Sequence, residues 1–231
     1  MKNHRISKKR KFMSHSDTED DDNPLNKITN GLAENLFENL FDKKKKSKDD
    51  EVYREYNHLY FKTEITLESI DNLMKLVREF EEEVNQFKAD PYSKYFSQPD
   101  LYIHISTYGG DLYASLMAYD TLKAKTYNII TIAEGFVASG GTIMMISGKK
   151  RQIQKSAVML IHQLSTGMSG KFEEIKEDFQ NSDHDMKRLI KIYHSELKGK
   201  MTKKQIEEAL KHDYWWDADT CVNKGLCDEI I

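Results

Sequence analysis

The chain has 231 residues, two cysteines and a formal net charge of −3, with 39% hydrophobic and 32% charged residues. So small a net charge argues against general attraction to nucleic acid, and two cysteines make neither a disulfide framework nor a metal-ligand pattern. No stretch approaches the ~18 apolar residues of a membrane span, and the basic start Met1-Lys2-Asn3-His4-Arg5 is not followed by the apolar core of a secretory signal. The expectation is one large domain, or one domain and a tail, in the reducing cytoplasm, with no metal and no cofactor.

Polarity is concentrated at the N-terminus. Lys8-Lys9-Arg10-Lys11 is basic, residues 17–22 are almost all acidic, and Lys43-Lys44-Lys45-Lys46 is basic again. Such blocks bury too little apolar surface to offset chain entropy, so residues 1–51 read as a disordered charged tail or propeptide. Within it, Leu32, Leu36 and Leu40, with Phe37 and Phe41, recur at i, i+4 behind a possible N-cap at Asn30. This predicts a short amphipathic helix over 31–41, either transient or a docking or cleavable segment. The basic clusters could touch nucleic acid, but the acidic block beside them counts against it.

The folded domain is expected over 52–231. His58-Leu59-Tyr60-Phe61 reads as a first strand. Leu67, Ile70, Leu73, Met74, Val77, Phe80, Val84 and Phe87 follow a 3.6 period and predict a long amphipathic helix with a charged outer face. After a loop bracketed by Asp90-Pro91 and Gln98-Pro99, residues 101, 103 and 105 alternate as a strand that runs into Tyr108-Gly109-Gly110. A helix is expected over about 111–125, then a buried strand over 128–133, then the turn Gly135-Phe136-Val137-Ala138-Ser139-Gly140-Gly141, then an apolar helix over 142–146 stopped by Ser147-Gly148. Ile153 and Val158-Met159-Leu160-Ile161 supply two more short strands. Strands alternating with helices imply βαβ units and a mainly parallel core.

Residues 170–198 predict a helix about 40 Å long at ~1.5 Å per residue. Phe172, Ile175, Phe179, Met186, Leu189, Ile190, Tyr193 and Leu197 form its stripe. It is too long for a domain of this size, so part of that stripe is expected to pack on another subunit. Thr202 with Gln205 three residues on predicts a capping box for a short helix to Leu210, and residues 217–224 form a last helix ended by Gly225.

Three polar residues stand out. Ser139 sits in a small-residue strand-to-helix turn, with room around its hydroxyl and a backbone amide opening the next helix. His162 follows the strand ending at Ile161, and Asp213 follows the helix ending at Leu210. All three lie at element ends or in the loops beyond them, where α/β folds place their chemistry. A serine needs a base, imidazole has a near-neutral pKa, and a carboxylate fixes its tautomer. The second glycine turn, Gly109-Gly110, can supply another oxyanion amide and an extended edge for a peptide. Asp111, Asp120 and Asp183 compete for the carboxylate role. His104, His184, His194 and His212 read as surface or strand residues, Trp215-Trp216 as core or interface packing, and Met144, Met145 and Met159 as core filler.

Several segments together resemble one family, the Clp protease proteolytic subunit (ClpP). Ile105-Ser106-Thr107-Tyr108-Gly109-Gly110, Ala118-Tyr119-Asp120-Thr121-Leu122, Gly135-Phe136-Val137-Ala138-Ser139, Met159-Leu160-Ile161-His162-Gln163 and the closing Asp213, Ala218, Gly225-Leu226-Cys227-Asp228 are similar to its segments in its order. The resemblance runs from about residue 59 to 231. It implies a ClpP/crotonase-like α/β spiral of ββα units with a long handle helix. It also implies an ATP-dependent-type serine endopeptidase with Ser139 as nucleophile, His162 as general base and Asp213 as its orienter. Gly109 and Gly140 would form the oxyanion hole, and Gly110 and Asp111 would bind substrate. The implied partners are other copies in heptameric rings stacked in pairs (a tetradecamer), peptide or unfolded protein as substrate, and a Clp-type ATPase. Tyr108 and Leu164 stand where the family has prolines, Gly140 where it has a methionine, and His104 and Ala124 where it has aromatic residues that dock the ATPase. Two other readings compete: a catalytically altered scaffold of the same fold, and a crotonase-type acyl-CoA enzyme, which shares the core and the two-amide hole but needs no Ser-His-Asp set.

Overall fold

Alternating burial builds the sheet. In β2 (His58–Phe61) Leu59 and Phe61 are buried, and in β3 (Leu101–Thr107) Leu101, Ile103 and Ile105 are, as a period of two requires. β4 (Ile129–Ala138) is buried on both faces over its first five residues, the pattern of a central parallel strand. β5 (Lys150–Ile153), β6 (Val158–Leu160) and β7 (Glu229–Ile230) complete a seven-stranded sheet with β1 (Val52–Glu55). Its order is β1-β2-β3-β4-β5-β7, with β6 paired to β4. The computed structural model describes residues 51–231, which lie in the unit Phe41–Ile231 of the two into which the chain divides. The charge blocks and the helix expected over 31–41 fall outside the described residues.

Two features of the sheet depart from the sequence expectation. β1 pairs antiparallel with β2, Val52 opposite Phe61, so the sheet opens on a hairpin ahead of its parallel core. β4 also does not stop at residue 133. Its register against β3 slips between Ile105 and Thr107, which face Ala133 and Val137. The extra residues bulge around Gly135, whose φ of 64° suits a glycine. Before the bulge β4 pairs with β5; after it, Phe136, Val137 and Ala138 pair with Val158, Met159 and Leu160 of β6. The bulge thus turns the strand so that its last residues gain a new parallel neighbour.

Helix α1 (Leu67–Ala89) starts at a Thr66–Ser69 capping box and buries Ile70, Leu73, Met74, Val77, Phe80, Val84 and Phe87; Leu67, expected on that face, is exposed in the first turn. α2 (Leu112–Lys123) is capped by the Asp111 carboxylate. α3 (Gly140–Met145) is short and wholly buried, and Met144, Met145 and Met159 fill the core beside it. α4 (Phe172–Glu196) divides its stripe. Leu189, Ile190, Tyr193 and the following Leu197 are buried, whereas Phe172 is 79% and Phe179 66% exposed. α5 (Lys203–Ala209) carries the expected Thr202–Gln205 box, and α6 (Ala218–Lys224) ends at Gly225 with φ 87°.

Candidate active site

Ser139 is the first residue beyond β4 and precedes α3. Its φ of 53° and ψ of −126° lie where a side chain is strained, a conformation costing about 1–3 kcal/mol that persists only where its surroundings impose it. They do. The Ser139 N–H donates to Leu160 O at 2.9 Å, and its carbonyl accepts from Thr142 N at 2.9 Å and from Thr142 Oγ1 at 2.6 Å. Glycines crowd the turn for steric reasons. A Cβ on Gly140 would meet Ser115 Oγ at 2.2 Å, one on Gly141 would meet Thr107 Cγ2 at 2.4 Å, and one on Gly109 would meet Ser139 Cβ at 2.6 Å. Gly140 is therefore set by packing against α2.

His162 arrives by pairing. Ala138 faces Leu160 across parallel strands, so the chain places Ser139 and His162 just past the same ends of neighbouring strands. The segment after α5 then runs back along this strand. Gln163 N donates to Leu210 O at 2.6 Å, and Met159 and Trp216 exchange backbone hydrogen bonds at 2.8 and 2.7 Å. Anchored at both ends, the intervening residues bring Asp213 to His162, with Nδ1 to Oδ1 at 3.4 Å. Asp213 is 79% exposed. The competing carboxylates are engaged elsewhere: Asp111 caps α2 through Ala114 N at 2.7 Å, Asp120 faces Arg188, and Asp183 pairs with Lys187. Of the two tryptophans, Trp216 makes the bridge to Met159, while Trp215 is exposed.

Ser139 and His162 line one cleft of about 550 Å³, together with Gly110, Asp111, Gly140 and the inner face of α4. No hydrogen bond joins the Ser139 hydroxyl to His162 among the described residues. Tyr113 of α2 donates to Asp185 Oδ2 of α4 at 2.8 Å across the cleft, and that bond raises the phenol's pKa.

The glycine turn needs one correction. Ile65 lies beside Gly110 as a parallel bridge, its N–H donating to Gly109 O and its carbonyl accepting from Asp111 N, both at 2.8 Å. In extended chain the next residue's groups face the other way, so Gly110, not Asp111, presents main-chain N–H and C=O away from Ile65. The Gly109 N–H, expected in the oxyanion hole, instead donates to Thr107 Oγ1 at 3.0 Å. The N–H groups of Gly110 and Gly140 donate no hydrogen bond among the described residues. Nothing local in a Gly-Gly pair tells which amide faces the cleft; the distant Ile65 decides it.

A family model described as Clp protease matches residues 93–231. The chain belongs to the Clp protease family. Clp protease proteolytic subunit 1 of Leifsonia xyli subsp. xyli is 33% identical over 136 residues, 58% of this chain and 68% of that protein. The proteolytic subunit of Streptococcus mutans is 36% identical over 138 residues, 57% of this chain and 68% of that protein. Subunit 1 of Streptomyces coelicolor is 31% identical over 137 residues, where the match spans only 60% of the relative's length. A solved ClpP1 point mutant from Listeria monocytogenes shares the fold with a TM-score of 0.61 at 19% identity, covering 76% of this chain and 91% of that one. The spiral α/β fold with its long helix is thus that of ClpP.

At the two positions where the resemblance implies prolines, Leu164 and Tyr108 have partners of their own. Leu164, unlike a proline, has an N–H, and it donates to Met186 Sδ of α4 at 3.0 Å. Tyr108 stacks on Phe136 with ring centres 4.2 Å apart, bracing the loop that leads into Gly109-Gly110. On the outer sheet face His104 bonds Glu134 at 2.7 Å and His58 at 2.8 Å, a polar row. Burial and the facing His104 lower the pKa of His58. No helix among the described residues is long and apolar enough to cross a membrane.

Proposed function

We propose that this chain is the proteolytic subunit of a Clp-type serine endopeptidase. The observation that carries the reading is that His162, which lies 3.4 Å from Asp213, lines one cleft with a strained Ser139. With His162 Nδ1 turned to Asp213, Nε2 is left for the serine. Ser139 Oγ attacks the peptide carbonyl as its proton passes to Nε2, and the C–O bond forms as the carbonyl becomes an oxyanion. The Gly110 and Gly140 amides receive that charge. The imidazolium returns the proton to the leaving amine as the C–N bond breaks, and water attacks the acyl-serine with His162 again as base. Asp213 holds the tautomer and stabilises the imidazolium throughout.

Peptide or unfolded protein suits a cleft of about 550 Å³ lined by Gly110, whose main chain could pair with an extended segment. Self-association is supported by α4, whose Phe172, Ile175 and Phe179 form an exposed apolar stripe at i, i+3, i+7. We place the chain in heptameric rings stacked through this helix, in the cytoplasm, where its two free buried thiols remain reduced. A Clp-type ATPase would meet the sheet face that carries the His58–His104–Glu134 row. Residues 52–231 are taken as the peptidase domain and 1–51 as a segment preceding it, so native mass should keep one ring size with or without residues 1–50.

Labelling with a fluorophosphonate probe tests the chemistry. Ser139 should be modified, Ser139→Ala should abolish labelling, and Asp213→Asn should slow it about 10²- to 10⁴-fold, by loss of the correct tautomer. Labelling that persists in Ser139→Ala would reject the assignment.

A further inference from the structure

A chain of hydroxyls runs beneath the nucleophile from the long helix. Tyr193 of α4 is 3% exposed, and its Oη lies 2.6 Å from Thr142 Oγ1 in α3, itself fully buried. Thr142 Oγ1 lies 2.6 Å from the Ser139 carbonyl oxygen. Proton counting fixes the direction. A carbonyl only accepts, so the single Thr142 hydroxyl proton goes to Ser139 O, and Tyr193 must donate to Thr142. Burial raises the phenol's pKa far above its ordinary value, which keeps that proton in place. Polarised in one sense, each bond of the chain strengthens the next.

The end of this chain matters because a peptide bond is planar. The Ser139 carbonyl and the Gly140 N–H belong to one peptide group and point in opposite directions. Holding the carbonyl down therefore aims the Gly140 amide. The backbone that must hold this orientation is strained, with Ser139 at φ 53°, and strained conformations relax unless several contacts oppose it. We propose that Tyr193 is a positioning residue for peptide hydrolysis: through Thr142 it locks the Ser139–Gly140 peptide so that the Gly140 amide faces the developing oxyanion. Tyr193 touches no reacting atom. This rests on the proposed serine peptidase reading and adds that the nucleophile turn takes its geometry from α4.

Tyr193→Phe removes one hydroxyl and leaves the ring in the core. The Thr142 bond to Ser139 survives, so the amide is loosened and not lost. Acylation by p-nitrophenyl acetate, and labelling by a fluorophosphonate, should slow about 3- to 10-fold in kcat with KM unchanged, against about 10²- to 10³-fold for losing an oxyanion donor outright. Thr142→Ser, which keeps the hydroxyl, should retain the parent rate, while Thr142→Val should fall further than Tyr193→Phe. The double variant Tyr193→Phe/Thr142→Val should be no slower than Thr142→Val alone, because the chain is already cut. Crystal structures of the parent and Tyr193→Phe read the peptide plane directly, with rotation about Ser139 ψ expected in the variant. If Ser139 is labelled in the parent and Tyr193→Phe matches its kcat, changes KM alone, or adds its full cost to Thr142→Val, the positioning role is overturned and the peptidase reading stands. If the parent Ser139 is not labelled at all, the peptidase reading falls and the proposal with it.

Discussion

Asp228→Asn should destabilise this protein by removing the counter-charge of a buried arginine. Arg151 is buried, and Asp228 is its only counter-charge among the described residues. The carboxylate accepts from Arg151 Nη2 at 2.7 Å, Nε at 3.1 Å, its backbone N at 2.9 Å, and Lys198 Nζ at 3.0 Å. Burial pushes the Asp228 pKa up, but the Arg151 and Lys198 hydrogen bonds outweigh it and carry the value from 3.8 down to about 2. At ~1.4 kcal/mol per pKa unit that displacement would be worth ~2 kcal/mol if the carboxylate were fully shielded, and because Asp228 is open to solvent, screening leaves about 1 kcal/mol. The folded value lies below the unfolded one, so this stability is complete above about pH 4 and is lost as the pH falls toward 2. Asparagine does more than protonation, since its amide turns a donor toward a guanidinium that stays charged and buried. Only Arg151 of the pair is buried and Asp228 reaches solvent, so the cost is about 2–3 kcal/mol, below the ~3–5 kcal/mol of a fully buried pair. For a domain of 150–250 residues that is about 4–12 °C in Tm at ~2–4 °C per kcal/mol. Thermal unfolding followed by circular dichroism at fixed protein concentration measures it. Replacing both charges, Arg151→Met with Asp228→Leu, should recover part of the loss. A single variant within about 2 °C of the parent would refute the claim that this pair holds β5 to the C-terminus.

Ser139→Gly should be inactive yet melt above Ser139→Ala, because glycine relieves a φ of 53° that alanine does not; comparing the two Tm values tests whether the turn is strained. Gly109→Ala should abolish fluorophosphonate labelling with secondary structure kept, since its Cβ would sit 2.6 Å from Ser139 Cβ and 2.8 Å from Ala138 O; parent-like labelling would show that the turn can shift. Phe179→Glu places a charge in the exposed stripe of α4 and should lower native mass measured by light scattering while leaving the monomer's Tm nearly unchanged. An unchanged mass would remove α4 from the interface.

How far the sequence disclosed this arrangement follows from which forces act locally. The period of α1, its charged outer face and the Thr202–Gln205 box are local, and the structure repeats them residue by residue except at Leu67. The placement of Ser139 and His162 past strand ends was likewise legible, because β-branched runs mark the strands. What escaped depends on pairing between distant segments. β1 has no apolar alternation of its own and exists because β2 offers it an edge. β4 continues through Gly135 because β6 pairs with residues that locally resemble a turn. The exchange of Gly109 for Gly110 as the cleft-facing amide is decided by Ile65, more than forty residues earlier. The Thr142–Tyr193 contact joins residues that the sequence assigns separately to an apolar helix and a packing stripe. The serine, histidine and aspartate of the proposed set were readable in order, whereas the orientation of the peptide groups around them was not. The small neighbours of Ser139 are local, but its carbonyl is held by Thr142, and Thr142 meets Tyr193 of a helix that begins more than thirty residues later.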